Sequence, residues 1–220
     1  MFSFLVLQLA DSAFPAGGFA HSGGTEAAMQ HGDVATLADL QRLAETAVRQ
    51  AGRASLPCVL AAHASADRLP ELDDFIDVVL NQPVSNRASR AQGRAFLGSA
   101  RQIFGGAPVQ SVADRVARHG LSGHHAPLFG AVLAALDVDA DTAARLYLYQ
   151  AGRTITSAAV RLGLAGMFDS QRVQASLAAV IDDTLERSRH LEVADVAQIA
   201  PILDLFQSTQ DRLYSRLFQS

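Results

Sequence analysis

The segment that follows Pro127 reads Leu128-Phe-Gly-Ala-Val-Leu-Ala-Ala-Leu136, and a helix over it is apolar on nearly every side. Because a helix without a polar face is buried on all sides, we predict that this one lies at the centre of the fold. The rest of the chain favours the same class: 40 of its 220 residues are alanine, and apolar positions recur at intervals of three and four. No Asn-Gly or Asp-Gly hairpin signal between alternating strands occurs. We therefore predict an all-α fold, a single-domain helical bundle of about eight to ten helices over residues 1–220.

Capping residues and helix breakers place the other helices. Thr36-Leu-Ala-Asp39 has the pattern of an N-cap with an acidic residue at N3, which opens a helix. Pro57 is expected to kink or break that helix. Gly105-Gly106 is expected to end another helix, and Asp139 or Asp141 to cap a long one. From these signals we predict helices over residues 71–80, 85–104, 142–164, 170–187 and 201–218.

The composition excludes several functions. All 18 cationic residues are arginine, so the chain has no lysine for a P-loop or a Schiff base, and any nucleotide hydrolysis must belong to another protein. A net charge of −4 gives no basic patch for nucleic acid. The apolar run Phe2–Leu7 is too short to span a membrane, and the single cysteine, Cys58, excludes an internal disulfide. We predict a cytoplasmic protein with neither a nucleic-acid nor a membrane partner.

A turn with special backbone chemistry follows the first apolar run, in Leu7-Gln-Leu-Ala-Asp-Ser-Ala-Phe-Pro-Ala-Gly-Gly-Phe-Ala-His-Ser-Gly-Gly24. Pro15 keeps Phe14 out of the helical region and fixes its own φ. Gly17 and Gly18 permit positive φ, which a residue with a Cβ resists. We expect a specifically built turn here.

Two acidic motifs allow an enzymatic alternative. Asp73-Asp74-Phe-Ile-Asp77 has the form DDxxD, and Asp182-Asp183-Thr-Leu-Glu186 resembles it. On facing helices such carboxylates hold Mg²⁺ against a diphosphate, as in an all-α isoprenoid-type enzyme. Acidic residues near helix starts or on polar faces also occur for purely electrostatic reasons, and we treat the enzyme as a remote alternative.

Three of the seven histidines cluster in the sequence, namely His119, His124 and His125. They lie in a loop-like segment, which permits a labile nickel or zinc contact. Ordinary surface or capping histidines explain the cluster as well. No firm metal site follows from the sequence, and the three remain candidate ligands.

The C-terminal segment Asp211-Arg-Leu-Tyr-Ser-Arg-Leu-Phe-Gln-Ser220 keeps apolar side chains where chain ends usually become polar. Tyrosine and arginine anchor interfaces, so the segment is either a partner-binding surface, a last helix docked on its own core, or both.

These segments resemble the family of the urease accessory protein UreF. The resemblance rests on four matches in chain order: Leu7–Ser22 with Glu26 and Gly32-Asp33-Val34 behind it, Asn86–Gly93, Ala158–Gly163, and Leu213–Phe218. Two departures stand beside them. Gln210-Asp211 replaces the His-Glu that the family usually has shortly before its terminal tyrosine, and Gln219 replaces the family's penultimate arginine.

The resemblance implies a non-catalytic maturation factor that dimerises, binds the accessory protein UreD (also called UreH) and through it recruits the GTPase UreG. Nickel then passes from the GTPase to apo-urease, so that nickel is in transit and no cofactor is bound tightly. A direct nickel chaperone that uses the loop histidines, with Cys58 as a further candidate ligand, is the second hypothesis.

Under the adaptor hypothesis, both ends of the chain contact the partner. Arg216 is expected to bind backbone carbonyls or a carboxylate, because a guanidinium offers five donors in a fixed fork. The candidate partner-binding residues are Phe14, Pro15, Gly17, Gly18, Phe19, His21, Arg212, Tyr214, Arg216, Leu217 and Phe218.

Overall fold

The computed structural model describes residues 4–220, and over that range it contains α-helices, short 3-10 turns and no β-strand. The all-α class is therefore confirmed, although the number of helices lies slightly above the predicted range. Phe2, the first residue of the N-terminal apolar run, lies outside the described residues. The eleven helices of residues 4–220 are α1 (Phe4–Ala10), α2 (Thr25–Gln30), α3 (Leu37–Ala54), α4 (Leu56–Ala64), α5 (Leu69–Val79), α6 (Pro83–Ile103), α7 (Gly106–His119), α8 (His125–Ala135), α9 (Ala140–Arg161), α10 (Met167–Ser188) and α11 (Pro201–Thr209).

Helix α8 lies at the centre, as its all-round apolar sequence predicts. Every residue from Ala126 to Leu133 is buried, and α8 packs against α4 and α6 most closely, with α5, α7 and α9 around it. A Cβ placed on Gly130 would lie 2.0 Å from the carbonyl oxygen of Val59. The backbones of α4 and α8 are thus in direct contact, and only glycine fits between them.

Helices α3, α9 and α10 pack on one another beside this centre. Glycine again allows two helices to approach closely, here α9 and α10: a Cβ on Gly152 of α9 would lie 2.5 Å from Leu177 Cδ1 of α10. The buried apolar residues of all these helices form one continuous cluster. None of the helices in residues 4–220 combines the length and apolar character that a bilayer span requires.

The predicted caps form. In the capping box of α3, the Asp39 amide donates to Thr36 Oγ1 over 3.2 Å and the Thr36 amide donates to the Asp39 carboxylate over 2.9 Å. Asp139 caps α9 by accepting from the Thr142 amide at 2.9 Å. Pro57 breaks the helix as expected, since α3 ends at Ala54 and Pro57 lies in the first turn of α4.

Two parts of the helix assignment are wrong. Residues 106–119, to which the sequence analysis assigned no helix, form α7: Gly106 opens it, and Pro108 lies in its first turn, where an N–H has no helical partner to lose. The helix predicted over 201–218 ends at Thr209, and after a 3-10 turn at Gln210–Arg212 the chain is not helical. The cause is a long-range contact of the C-terminal segment, described below.

We predict that Gly130→Ala destabilises the protein by about 3 kcal/mol or more, because the added methyl meets backbone atoms that cannot move aside. The measurement is the free energy of unfolding in urea. Gly98→Ala in α6 is the matched control: no atom lies within 4 Å of its Cβ position, so the helix-propensity gain leaves stability unchanged or raised by up to about 1 kcal/mol. Equal effects of the two changes would contradict the packing of α4 against α8.

Candidate functional site

The two ends of the described chain meet on one side of the fold. We call residues 11–24 the N-terminal turn, residues 213–220 the C-terminal tail, and the two together the paired ends. The Gln219 amide donates to the Ala20 carbonyl over 2.8 Å, and the Ser22 amide donates to the Ser220 carbonyl oxygen. His21 Nδ1 is hydrogen-bonded to Ser220 Oγ. The structure therefore brings together the two sets of residues that the sequence analysis assigned to partner binding.

One buried carboxylate fastens the tail. Glu26, in the first turn of α2, is 2% exposed, and it accepts hydrogen bonds from the Leu217 amide at 2.6 Å, the Phe218 amide at 3.1 Å and Gln210 Nε2 at 2.6 Å. A buried carboxylate is costly unless such donors satisfy it. In a continued helix, the amides of 217 and 218 would donate to carbonyls four residues earlier. Glu26 takes these two donors instead, so the helix cannot continue to residue 218.

A second contact joins both ends through α9. The guanidinium of Arg161 lies over the rings of Phe19 and Phe218, with its central carbon 3.6 Å and 4.1 Å from the two ring centres. It also donates a hydrogen bond to the Phe19 carbonyl. Phe218 is buried, whereas Phe19 is 70% exposed.

Arg216 of the tail and Arg212, just before the tail, differ in their surroundings. Asp211 accepts from Arg87 of α6 at 2.9 Å and from Arg216 at 3.1 Å, so the carboxylate that Arg216 binds belongs to its own chain. Arg212 lies exposed in the 3-10 turn. Tyr214 is fully exposed and Leu217 is 53% exposed. The outer face of the tail therefore combines arginines with uncovered apolar side chains.

The N-terminal turn packs against the C-terminal half of α6 and the residue that follows it. Phe14 is buried, with its ring stacked on Phe104 at a centroid distance of 6.0 Å, so it is a core residue and offers no surface. The Pro15 carbonyl accepts from Ser99 Oγ at 2.7 Å.

Only one of the two predicted glycines needs its conformation. Gly17 has φ 76°, and a Cβ there would lie 3.0 Å from Ala95 Cβ. Gly18 has no positive φ and no atom within 4 Å of its Cβ position, so the expectation of a required glycine is wrong there. Gly23 and Gly24, with φ 62° and 92°, are the further positive-φ positions of this turn.

Beneath the paired ends lies a cavity of about 910 Å³, bounded by the N-terminal turn, the tail and parts of α3, α6 and α9. His21 and His125 border it. Burial lowers the pKa of both imidazoles to about 4 and raises the pKa of Tyr147, whose ring stacks on His125, to about 12. All three side chains are therefore neutral near pH 7.

Comparison with known proteins identifies the family of this chain. Residues 34–178 match the model of the UreF family. The chain belongs to the UreF family. Among its relatives, urease accessory protein F of Arabidopsis thaliana is 35% identical over 97% of this chain and 90% of its own length. Urease accessory protein F of rice (Oryza sativa subsp. japonica) is 34% identical, covering 96% and 82%, and urease accessory protein UreF of Jannaschia sp. is 30% identical, covering 97% and 92%.

The clustered histidines of this UreF-family chain are separated by the fold. His119 is exposed at the end of α7. His124 is fully buried, and both ring nitrogens are engaged, Nε2 with Asp77 Oδ1 at 2.9 Å and Nδ1 with Ser89 Oγ at 3.1 Å. His125 points away from them to the aromatic side chains beside the cavity. Burial raises the pKa of the Cys58 thiol to about 12, which disfavours the thiolate that binds metals.

The two acidic motifs serve the fold. Asp73 is buried and accepts from the Gly123 amide at 3.0 Å and the His124 amide at 2.8 Å, which caps the start of α8. In the second motif, Asp182 pairs with Arg145 and Asp183 with Arg49 and Arg187. Within residues 4–220, no three or more His, Cys, Asp or Glu side chains are grouped so as to hold a metal ion.

Three residues outside the paired ends that help to hold them were given no role from the sequence, namely Glu26, Arg161 and Arg87. The resemblance quoted Glu26, and Arg161 lies within its third match, but nothing in the local pattern marked either as a contact to the tail. The one local signal is that Glu26 stands beside the small residues Ala27 and Ala28, and a charged residue in such a segment can indicate a buried carboxylate.

We predict that Glu26→Gln releases the tail. Three donors already point at the Glu26 carboxylate, and the glutamine side chain replaces one accepting oxygen with an NH₂ group. At least one of the three donors then loses its acceptor. The cost is about 1 to 3 kcal/mol, confined to the tail. Trypsin should then cleave faster after Arg212 and Arg216, while the melting of the helical signal changes little. Glu186→Gln, at an exposed site on α10, is the control. A tail that resists trypsin equally in both variants would show that Glu26 does not hold it.

Proposed function

We propose that this chain is a non-catalytic docking factor in the maturation of urease. In this proposal the paired ends bind a UreD-type (UreH) accessory protein, and the complex, built on a homodimer of this chain, brings the GTPase UreG to apo-urease in the cytoplasm. Membership of the UreF family supports the role in urease maturation. The particular partners, the dimer and the delivery of nickel are the proposed part.

The observation that carries the proposal is the fixed, outward-facing surface of the paired ends. Glu26 holds the backbone at Leu217 and Phe218, yet Phe19, Tyr214 and Leu217 leave most of their side chains uncovered. Apolar and aromatic side chains on a preorganised backbone are typical of interface anchors, since little conformational freedom is lost when they bind. A chain that only packed its own ends together would gain stability by covering them.

The chemistry of the chain agrees with a complex in which a partner hydrolyses GTP and this chain supplies docking. Lysine is absent from all 220 residues, so the phosphate-binding lysine of a GTPase must come from a partner. The DDxxD carboxylate Asp73 is occupied by amides of its own chain, which gives the isoprenoid-type alternative no support. Adhesion and positioning are the tasks for which this chain is equipped.

We predict that the double change Tyr214→Ala, Leu217→Ala weakens binding of the UreD-type partner by about 2 to 4 kcal/mol, because two anchors are removed. The measurement is the dissociation constant by calorimetry, with urease activation in cells as the second readout. Stability should not change, since both side chains are exposed. The control is Val78→Ala on α5, an apolar side chain that is 77% exposed outside the paired ends. Undiminished binding by the double variant would overturn the docking proposal.

A direct nickel chaperone is the competing proposal, with nickel held by the loop histidines. His124 has no free ring nitrogen to offer, whereas His21 and His125 present neutral imidazoles, which are good ligands for nickel, at the wall of the cavity. These two rings favour at most a weak contact with nickel in transit.

We predict that calorimetric titration of the isolated chain with Ni²⁺ shows no binding tighter than about 10 μM, equivalent to about −7 kcal/mol, because two imidazoles without further ligands do not make a tight site. Binding in the nanomolar range that His125→Gln abolishes would instead favour the chaperone. His190→Gln, at an exposed histidine, is the control.

A further inference from the structure

The side chain of Arg161 contacts an aromatic ring of the N-terminal turn and an aromatic ring of the tail. It lies in the last turn of α9, and its guanidinium is held between one ring of the N-terminal turn and one ring of the tail, 3.6 Å from the centre of Phe19 and 4.1 Å from that of Phe218. Cations over aromatic faces are attracted by the negative potential of the ring. A single guanidinium thus binds both ends at once.

The other contacts leave the Phe19 ring free. The hydrogen bonds from Gln219 to Ala20, from Ser22 to Ser220 and between His21 and Ser220 join the turn to the tail without that ring. Glu26 binds the tail backbone and Gln210, and Asp211 binds Arg87 and Arg216. The polar contacts of these two carboxylates involve neither aromatic ring. Phe19 remains 70% exposed even with Arg161 over its ring, so the guanidinium supplies much of what fixes that ring.

The site uses properties that belong to arginine. The guanidinium is planar, stacks on a ring with either face and still donates in its plane, as it does here to the Phe19 carbonyl. A lysine ammonium has no such faces. The C-terminal end of a helix is also favourable for a cation, so Arg161 is stabilised where it stands.

We propose that Arg161 is the positioning residue of the docking surface: it fixes the exposed Phe19 ring against the tail, so that the partner meets one preformed surface. The inference rests on the proposed function. It also specifies the partner's chemistry, because Phe19, Tyr214 and Leu217 are accompanied by Arg212 and Arg216. A complementary face has an apolar depression with carboxylates at its rim.

The experiment measures two quantities for each variant: amide hydrogen exchange of residues 213–220 in the isolated chain, and the dissociation constant for the UreD-type partner. The variants are Arg161→Lys, Phe19→Leu and Phe19→Tyr. Arg145→Lys is the matched control, since Arg145 lies on the same helix and forms surface ion pairs with Asp141 and Asp182, which lysine preserves.

We expect exchange of the tail amides to accelerate on the order of tenfold in Arg161→Lys and in Phe19→Leu, as the loss of a cation–π contact implies. Partner binding should weaken by a similar factor. Phe19→Tyr keeps an aromatic face and should match the unmodified chain, as should Arg145→Lys. A role in packing alone would not separate leucine from tyrosine at an exposed position.

The chain contains no tryptophan, so Phe19→Trp provides a single tryptophan at the site, whose emission can be excited apart from that of the tyrosines. Its emission should change when Arg161→Lys is added and should not change with Arg145→Lys. These two measurements test whether Arg161 contacts the side chain at position 19. They do so even if Arg161→Lys lowers the overall stability, because that side chain is exposed.

The outcomes separate the two proposals. Failure of the unmodified chain to bind the partner overturns the proposed function. Unchanged tail exchange in Arg161→Lys, or equal behaviour of Phe19→Leu and Phe19→Tyr, overturns the role of Arg161 whether or not the partner binds. Faster tail exchange with undiminished partner binding overturns the claim that the surface must be preformed.

Discussion

The arrangement of the paired ends depends on the buried carboxylate of Glu26. A carboxylate that is 2% exposed must find donors inside the protein, and this one finds all three in Gln210, Leu217 and Phe218, which lie 184 to 192 residues away in the sequence. The non-helical path of the tail at Leu217 and Phe218 follows from that requirement. Without it, the apolar spacing of the C-terminal segment favours the helix to residue 218 that the sequence predicts.

The contacts of Glu26 can hold the tail in one place because the helices beneath it are closely packed. Glycine brings α4 and α8 into backbone contact at Gly130, and α6 packs on α8 while holding the N-terminal turn through Ser99 and the close approach of Ala95 to Gly17. The closely packed helices have little freedom to shift. The turn and the tail are therefore held at a fixed distance from each other, and the cavity beneath them stays bounded by both.

The sequence predicts what local chemistry decides. The caps at Thr36 and Asp139, the break at Pro57 and the burial of α8 were all predicted, because the cause of each lies within a few residues. Contacts between distant residues were not. Leu213 and Leu217 have helical spacing, and nothing near them shows that Glu26 accepts hydrogen bonds from the amides of Leu217 and Phe218. The same limit applies to Asp73 and His124, which resembled metal ligands in sequence and are each bound by partners about 50 residues away. Gly17 and Gly18 look alike in sequence, and only their φ angles tell them apart.

Closure of the two ends also makes the surface dependent on complete folding. Contacts that span more than 180 residues form late, since the loss of chain entropy on closing so long a loop must be repaid by a core that is already ordered. A partly folded chain, or one whose helices have not yet packed, holds Phe19 and Tyr214 on separate and mobile segments. A partner that recognises the paired ends therefore selects molecules that have finished folding, and it rejects incomplete ones without any dedicated proofreading step.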